Sequence, residues 1–458
     1  MSEPIFPILW CWAALSPFLF RLLPGRDAAI TCLVVGWGFL PVASFPPSTL
    51  SPGRDVSSVH AVAVPTSSHV NKATAIGLGC LAGLVVFDRR TFERLRLDLV
   101  DLPMVAACLL PLASTAANGL PLSEGLAEVR YLALAWGVPY LMGRAYLVDA
   151  ESRGRFAVAL AAAGLAYLPL CLLEIARGPM CYRIAFGPHP YEFEGALRAI
   201  GHRPLAFQEH GNQLGMWMAS SALAATWLWA SGANKRPGGV AGGPLSAVLI
   251  GATLLCQSHG SIILLGLALV PLAVARRSKG RFLRPWMLAV VFGLACSGIG
   301  LLVARRAVAV GSLRLAIASL FKGLDKSSFT WRLARTEEFL PIAWQHPWLG
   351  WGRANWGSHS LAFVNPVNLP TWLLTLGQFG LLGLAAFLMI WLLPPVRMSR
   401  LVSFRSWTEP SGGATGTLVA LLAINFLDSF SNSVIILPIM AAAGGLNRPI
   451  GPRRPVLR

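Results

Sequence analysis

The chain has 458 residues, of which 55% are hydrophobic and only 13% charged, with a formal net charge of +18. A soluble globular protein carries about 25% charged residues, and here apolar runs of roughly 17 to 25 residues recur from end to end, the length that crosses ~30 Å of hydrocarbon; a soluble α/β enzyme is excluded. Nucleic acid is not the expected partner of the positive charge, because Lys and Arg sit in short loops between apolar runs, where they orient the chain and touch lipid headgroups.

A helix in lipid satisfies its own backbone, so the fold class is all-α: a polytopic transmembrane bundle of about 12–13 spans. It forms a single integral membrane domain over 1–458. In chain order the spans fall at 5–23, 28–46, 73–88, 102–120, 128–147, 156–176, 212–231, 244–257, 260–276, 285–303, 371–394, 413–428 and 432–447. The first has no basic region before it and no evident cleavage site, and reads as a retained span. A tight turn at Ser258-His259-Gly260 joins the spans near 250 and 270, and Ser429–Ser433 joins the last two. No internal repeat is visible, which weakens a transporter reading.

Alternate loops set the orientation. Most of the 38 Lys and Arg fall in one set of short loops, for example Arg89, Arg90, Arg94 and Arg96, then Arg144, Arg153 and Arg155, then Arg276 and Arg277. That set is cytoplasmic by the positive-inside rule. The N-terminus is then outside, and the C-terminus inside.

Three outer loops are long. Pro47–Lys72 is rich in Ser, Pro and Val and reads as a connector. The loop at 177–211 and the large loop at 304–370 mix aromatic residues with Arg and His, and residues 312–325 read as an amphipathic helix lying on the membrane. The larger loop holds Arg305, Arg306, Arg314, Lys322, Lys326, Arg332, Arg335 and Arg353 against Asp325, Glu337 and Glu338. So much positive charge on the outer face asks for an anionic partner. Arg305 and Arg306, at the end of a span, read as anchors for lipid phosphate.

Cysteine gives little. Seven of the eight lie in apolar runs, and Cys181 lies in an outer loop without an evident partner. No CxxC and no ligand-spaced Cys/His set occurs, so neither a disulfide framework nor a zinc site is expected. Glu174, at the outer end of a span before Arg177, is either a functional acid or half of an ion pair. Asp428, at a break between two apolar runs, either caps the next helix or faces a cavity.

Three motifs stand in the two richer outer loops and the span that follows. Gly201–Gly215 reads GHRPLAFQEHGNQLG. Ser327–Gly357 reads SSFTWRLARTEEFLPIAWQHPWLGWGRANWG. Asn365–Leu384 reads NPVNLPTWLLTLGQFGLLGL. In their order and loop placement these resemble the O-antigen ligase and polysaccharide polymerase superfamily of bacterial inner membranes. That family shows an Arg-Pro followed by a phenylalanine and His-Gly or Pro-Asn before a span, then an Arg followed by a Pro-x-x-Gly-x-Gly turn, then a polar motif and a Gly-x-x-Gly opening the next helix.

The resemblance implies a GT-C-like helical bundle that joins glycan from a polyprenyl-diphosphate carrier to an acceptor hydroxyl on the extracytoplasmic side. It implies inversion, no metal and no cofactor. The partners it implies are the lipid-linked oligosaccharide, the glycan acceptor, the bilayer, and polysaccharide export or chain-length proteins.

A guanidinium binds phosphate through paired hydrogen bonds. Arg203 and Arg332, with Arg335 behind them, are therefore the candidate diphosphate ligands. His210 beside Glu209 is the candidate acid/base pair, although His210-Gly211 also suits a helix entry. The ligase family carries a His eleven residues before the first Gly of its closing motif. Here that position is Leu369, so the chain looks closer to exopolysaccharide or O-antigen polymerases than to lipid A-core ligases. Asn368 falls near the Asp/Asn position of the polymerase version. His359 is a further acid/base candidate if the loop folds back. Gly350 and Gly352 are expected to form a turn that positions the loop or the acceptor, with tryptophans able to stack on a sugar. The rival readings are a flippase for lipid-linked saccharide and a non-catalytic scaffold.

Overall fold

The computed structural model describes residues 5–42, 70–187, 189, 197–236, 239–278, 336–353, 356, 369–433 and 435–447. The fold is all-α. Among the described residues the only strands are one antiparallel pair, Leu197–Arg198 with Gly201–His202. Five helices are long and apolar enough to cross a membrane: Ile5–Leu22, Leu99–Ala117, Ala150–Arg177, His259–Arg277 and Thr371–Leu401. Lys72–Phe87, Gly242–Leu255, Gly413–Asp428 and Leu437–Asn447 are apolar but shorter. Large apolar side chains such as Leu22, Val86, Ile263 and Val270 stand exposed on the outside of these helices, where a bilayer would cover them.

A helix stands at every expected span except 285–303, which lies outside the described residues, as does the 312–325 segment. Three local expectations are corrected. The helix expected from 128 begins at Leu122 and widens into a π turn at Ala133–Gly137 before Val138–Tyr146. Pro139, just beyond, has no N–H to return to the preceding turn, which favours that widening. The turn near 258 lies one step earlier, with Gln257 at φ 52° and His259 already opening a helix. The reason is that Ser258 bonds Ser261 Oγ at 2.9 Å and Asn212 Oδ1 at 3.3 Å, fixing 258–261 as the helix entry. Finally, Thr371–Leu401 runs past Pro394 and Pro395 but is broken inside at Gly380, whose φ is 67°.

The Gly211–Ser231 helix is the axle of the molecule. Small and apolar residues run all round it, and nearly its whole length is buried, the pattern of a helix with neighbours on every side. It packs against Ala150–Arg177, Gly242–Leu255, His259–Arg277 and Gly413–Asp428. Successive helices run up and down, giving the bundle two ends. Lys72, Glu174, Arg203 and Glu209 lie at one, which we call the Arg203 end. Asp101, Arg144 and Arg153 lie at the other, the Arg144 end.

Candidate functional site

At the Arg203 end, the segment that feeds the central helix is tied down by a carboxylate. Glu174 is fully buried, and its two oxygens accept from Cys181 N at 2.8 Å and from Leu205 N and Ala206 N at 2.7 Å each. The sequence left a functional acid or an ion pair open; its bonding partners here are three backbone amides, a strong arrangement for an ionised carboxylate. It holds Ala206 at φ 46°, a conformation that L residues adopt only when their surroundings enforce it. Gln208, also fully buried, donates to Tyr167 Oη at 2.9 Å. Cys181 is a buried free thiol. Burial, with help from the Glu174 carboxylate, pushes it up to about 12.

His210 is the N-cap of the central helix. Its Nδ1 accepts from Asn212 N at 3.0 Å, which puts the proton of the neutral ring on Nε2. Its role in shaping the helix entry is thus met directly, through Nδ1. Gly211 follows because nothing larger fits: a Cβ there would run into the Arg203 side chain. Arg203 therefore lies across the first turn of the helix. Helix N-termini carry partial positive charge, so a guanidinium on top of one creates a doubly positive spot suited to an anion.

Arg203 is aimed by a row of amides. Its Nη2 donates to Asn212 Oδ1 at 2.5 Å, and Asn212 Nδ2 donates to Asn432 Oδ1 at 3.2 Å. Asn432 Nδ2 then donates to Asp428 Oδ1 at 2.5 Å. Asp428, expected either to cap the next helix or to face a cavity, sits at the C-terminal end of Gly413–Asp428, and its carboxylate holds the Asn432 side chain in the connection that follows. The backbone carbonyl of Asn432 also receives Thr371 N at 3.1 Å and Thr371 Oγ1 at 2.9 Å.

Glu209 lies near enough to Lys72 and Tyr131 to act on both electrostatically. Its backbone N–H donates to Gln213 Oε1 at 2.7 Å. The sequence reading missed Lys72. It opens Lys72–Phe87 behind the Asn71–Thr74 capping box and is only 2% exposed. Its Nζ has no hydrogen-bond partner among the described residues and rests 4.3 Å from the centroid of the Trp37 ring. The one available signal was a cation flush against an apolar run, which in sequence looks the same as a lipid anchor.

The Gly350 and Gly352 turn forms as expected, and it docks on the broken helix. Trp351 N donates to Gly377 O at 2.9 Å, Gly352 N to Gln378 O at 3.1 Å, and Leu381 N to Pro347 O at 2.7 Å. Gly350, Gly352 and Gly380 all have positive φ, and side chains at Gly350 or Gly380 would strike the facing backbone. Two of the three motif segments thus meet backbone to backbone. Arg353, next in the chain, is bound by Glu128, with Nη1 at 2.5 and 2.6 Å from the two carboxylate oxygens, and its guanidinium lies 5.0 Å from the Tyr131 ring centroid. Arg353 thereby belongs to a structural ion pair, and Tyr131 links that pair to the Glu209 side.

Arg203, Glu209 and His210 are brought together, while Arg332, Arg335, His359 and Asn368 lie outside the described residues. Among the described residues there is no group of three or more His, Cys, Asp or Glu that could hold a metal ion. No protein-family model, curated protein or solved structure matches the chain.

Proposed function

We propose that this chain is a multi-pass glycosyltransferase of the bacterial inner membrane, with about thirteen spans, its N-terminus outside and the Arg203 end facing outward. It would transfer glycan from a polyprenyl-diphosphate carrier to an acceptor hydroxyl, as an exopolysaccharide or O-antigen polymerase. The observation that carries this reading is the Arg203 guanidinium seated on the N-terminus of the central helix, which Glu209 and His210 lead into.

The chemistry suits those groups. As the acceptor oxygen bonds to the anomeric carbon, the bond to the carrier diphosphate breaks and negative charge grows on the departing oxygen. Arg203 and the helix N-terminus are preorganised to receive that charge. The acceptor hydroxyl proton passes to the Glu209 carboxylate, with His210 Nε2 at hand beside it. Arg332 and Arg335 are proposed to complete the diphosphate site from the large loop, and Asn368 and His359 to serve the acceptor side. Inversion and independence of metal remain what the family resemblance implies. Polysaccharide export and chain-length proteins are the proposed protein partners.

The test is reconstitution of the purified protein in vesicles with a lipid-linked repeat unit, without metal or nucleotide. Longer glycans should form. Arg203→Lys should cut the rate by about a hundredfold or more while the protein still inserts, because an ammonium lacks the paired geometry. The same loss is expected of Arg332→Lys. Unchanged polymer in both variants would refute the assignment, and movement of the lipid across the vesicle with no glycan joined would identify a flippase.

A further inference from the structure

At the Arg144 end, a cavity of about 510 Å³ opens where three elements stop together: the last turn of Gly211–Ser231, the last turn of His259–Arg277, and the short Ser406–Thr408 turn that precedes Gly413–Asp428. Trp229, Lys235, Arg276, Thr408, Glu409 and Pro410 are among its walls. The acid in the wall is already taken, because Glu409 Oε1 accepts from Arg405 Nε at 2.8 Å. The two cations are not: both are exposed, and among the described residues neither Lys235 nor Arg276 is ion-paired. In this they differ from Arg144 and Arg153 at the same end, which are buried and bonded to the fold. The walls also border hydrocarbon. Trp229 is 44% exposed, and Val270 and Val274 stand exposed in the two turns before Arg276. Tryptophan favours the level at which hydrocarbon gives way to headgroups.

We propose that this cavity binds the headgroup of one anionic phospholipid. The phosphate sits between the Lys235 ammonium and the Arg276 guanidinium, and the acyl chains leave past Trp229 along the outside of the bundle. The site is independent of the glycosyltransferase reading and requires only that these helices cross a bilayer. A guanidinium offers a phosphate two parallel donors, and an ammonium adds a compact charge beside it. The volume falls within the roughly 300–1,000 Å³ of small-molecule sites, and basic pockets between spans are where anionic headgroups are held. An anionic lipid fits better than a zwitterionic one. With Glu409 held by Arg405, the ammonium of a zwitterionic headgroup would meet two cations and no free acid in the wall. Bound there, the lipid ties the end of the central helix to Arg276 and to the 406–408 turn. A cation in the last turn of a helix also favours that helix end by itself; that effect needs no lipid, so lipid composition separates the two.

The test uses the full-length protein in nanodiscs of phosphatidylcholine alone and of phosphatidylcholine mixed with phosphatidylglycerol. The anionic lipid should raise the melting temperature of the wild type by about 2 °C or more, since a ligand of the folded state stabilises it. The double variant Lys235→Gln/Arg276→Gln should lose most of that shift while melting within about 1 °C of the wild type in the neutral discs. Native mass spectrometry should find one retained phosphatidylglycerol fewer per chain in that variant. Arg90→Gln/Arg94→Gln removes the same charge from another exposed stretch at this end, and should keep both the shift and the retained lipid. No stabilisation of the wild type by phosphatidylglycerol, or an equal shift in the Lys235/Arg276 variant, would overturn the site. Equal loss in both double variants would overturn it in favour of general surface charge. A Lys235/Arg276 variant that melts lower by the same amount in both kinds of disc, with its retained lipid unchanged, would leave Arg276 serving its helix end alone. Inorganic phosphate that reproduces the stabilisation in lipid-free detergent would assign the cavity to a soluble anion and overturn the lipid.

Discussion

The two ends of the bundle treat buried cations in opposite ways. At the Arg144 end, the Arg144 guanidinium, 4% exposed, donates to Asp101 Oδ2 at 2.9 Å, to Asp98 Oδ2 and Arg96 O at 3.1 Å, and to Asn447 O at 3.1 Å. Tyr140 binds the other oxygen of Asp101 at 2.6 Å, and Asn447 Nδ2 binds Tyr140 Oη at 2.9 Å. Arg153 is as deeply buried and spends its donors on Leu147 O, Thr415 Oγ1 and Gly445 O. These groups are staples that stitch the last helix to the middle of the chain. At the Arg203 end, Lys72 is buried with no hydrogen-bond acceptor among the described residues, and Arg203 is aimed through neutral amides. A cation held by several acceptors of the fold is there for the fold.

Exchanging the charges at the two ends tests that contrast, and the largest effect should come from the staple end. Arg144→Met strands Asp101 in the interior and should cost about 3–5 kcal/mol of stability in chemical or thermal unfolding, the usual price of halving a buried ion pair. Unchanged stability in Arg144→Met would erase the distinction between the ends. A smaller effect is expected at Glu174, which is a staple placed at the ligand end. Glu174→Gln keeps the shape but weakens three charge-assisted bonds. It should cost about 1–3 kcal/mol and open the 177–211 loop to limited proteolysis, while leaving the Arg144 end protected. If proteolysis is unchanged, Glu174 does not organise the loop. The subtlest change sharpens the comparison from the ligand side. Gly211→Ala adds one methyl group under Arg203 and should displace the guanidinium with little effect on melting. Transfer rate should fall by about tenfold or more, since misplacements near 1 Å are costly in catalysis. A normal rate in that variant would detach Arg203 from the chemistry.

The helices were legible in the sequence because hydrocarbon thickness dictates apolar length, and that signal survives without knowledge of packing. The local departures were not, because each depends on a partner distant in the chain. Gly380 breaks its helix to receive the backbone of 347–352, and nothing in LLTLGQFGLLGL announces that visitor. Glu174 and Asp428 were visible as acids in apolar surroundings, yet their partners, loop amides in one case and the Asn432 side chain in the other, lie across turns whose geometry is not written in residue type. The grouping of Arg203 with Glu209 and His210 followed from their closeness in sequence. Lys72 joins them only in space, from well over a hundred positions away, so its isolation could not be distinguished from ordinary anchoring.

The file of amides between Asp428 and Arg203 has a direction. Every member turns its oxygen toward the guanidinium and its nitrogen toward the carboxylate, so no single member can reverse without breaking both its neighbours' bonds. Aspartate, nearly the same shape as asparagine, would therefore have contrary meanings one step apart. At Asn212 it would quench the guanidinium it touches, and at Asn432 it would set two like charges nose to nose. The polarity of that short line, anchored at one terminus by an acid, is what keeps the arginine's charge turned outward.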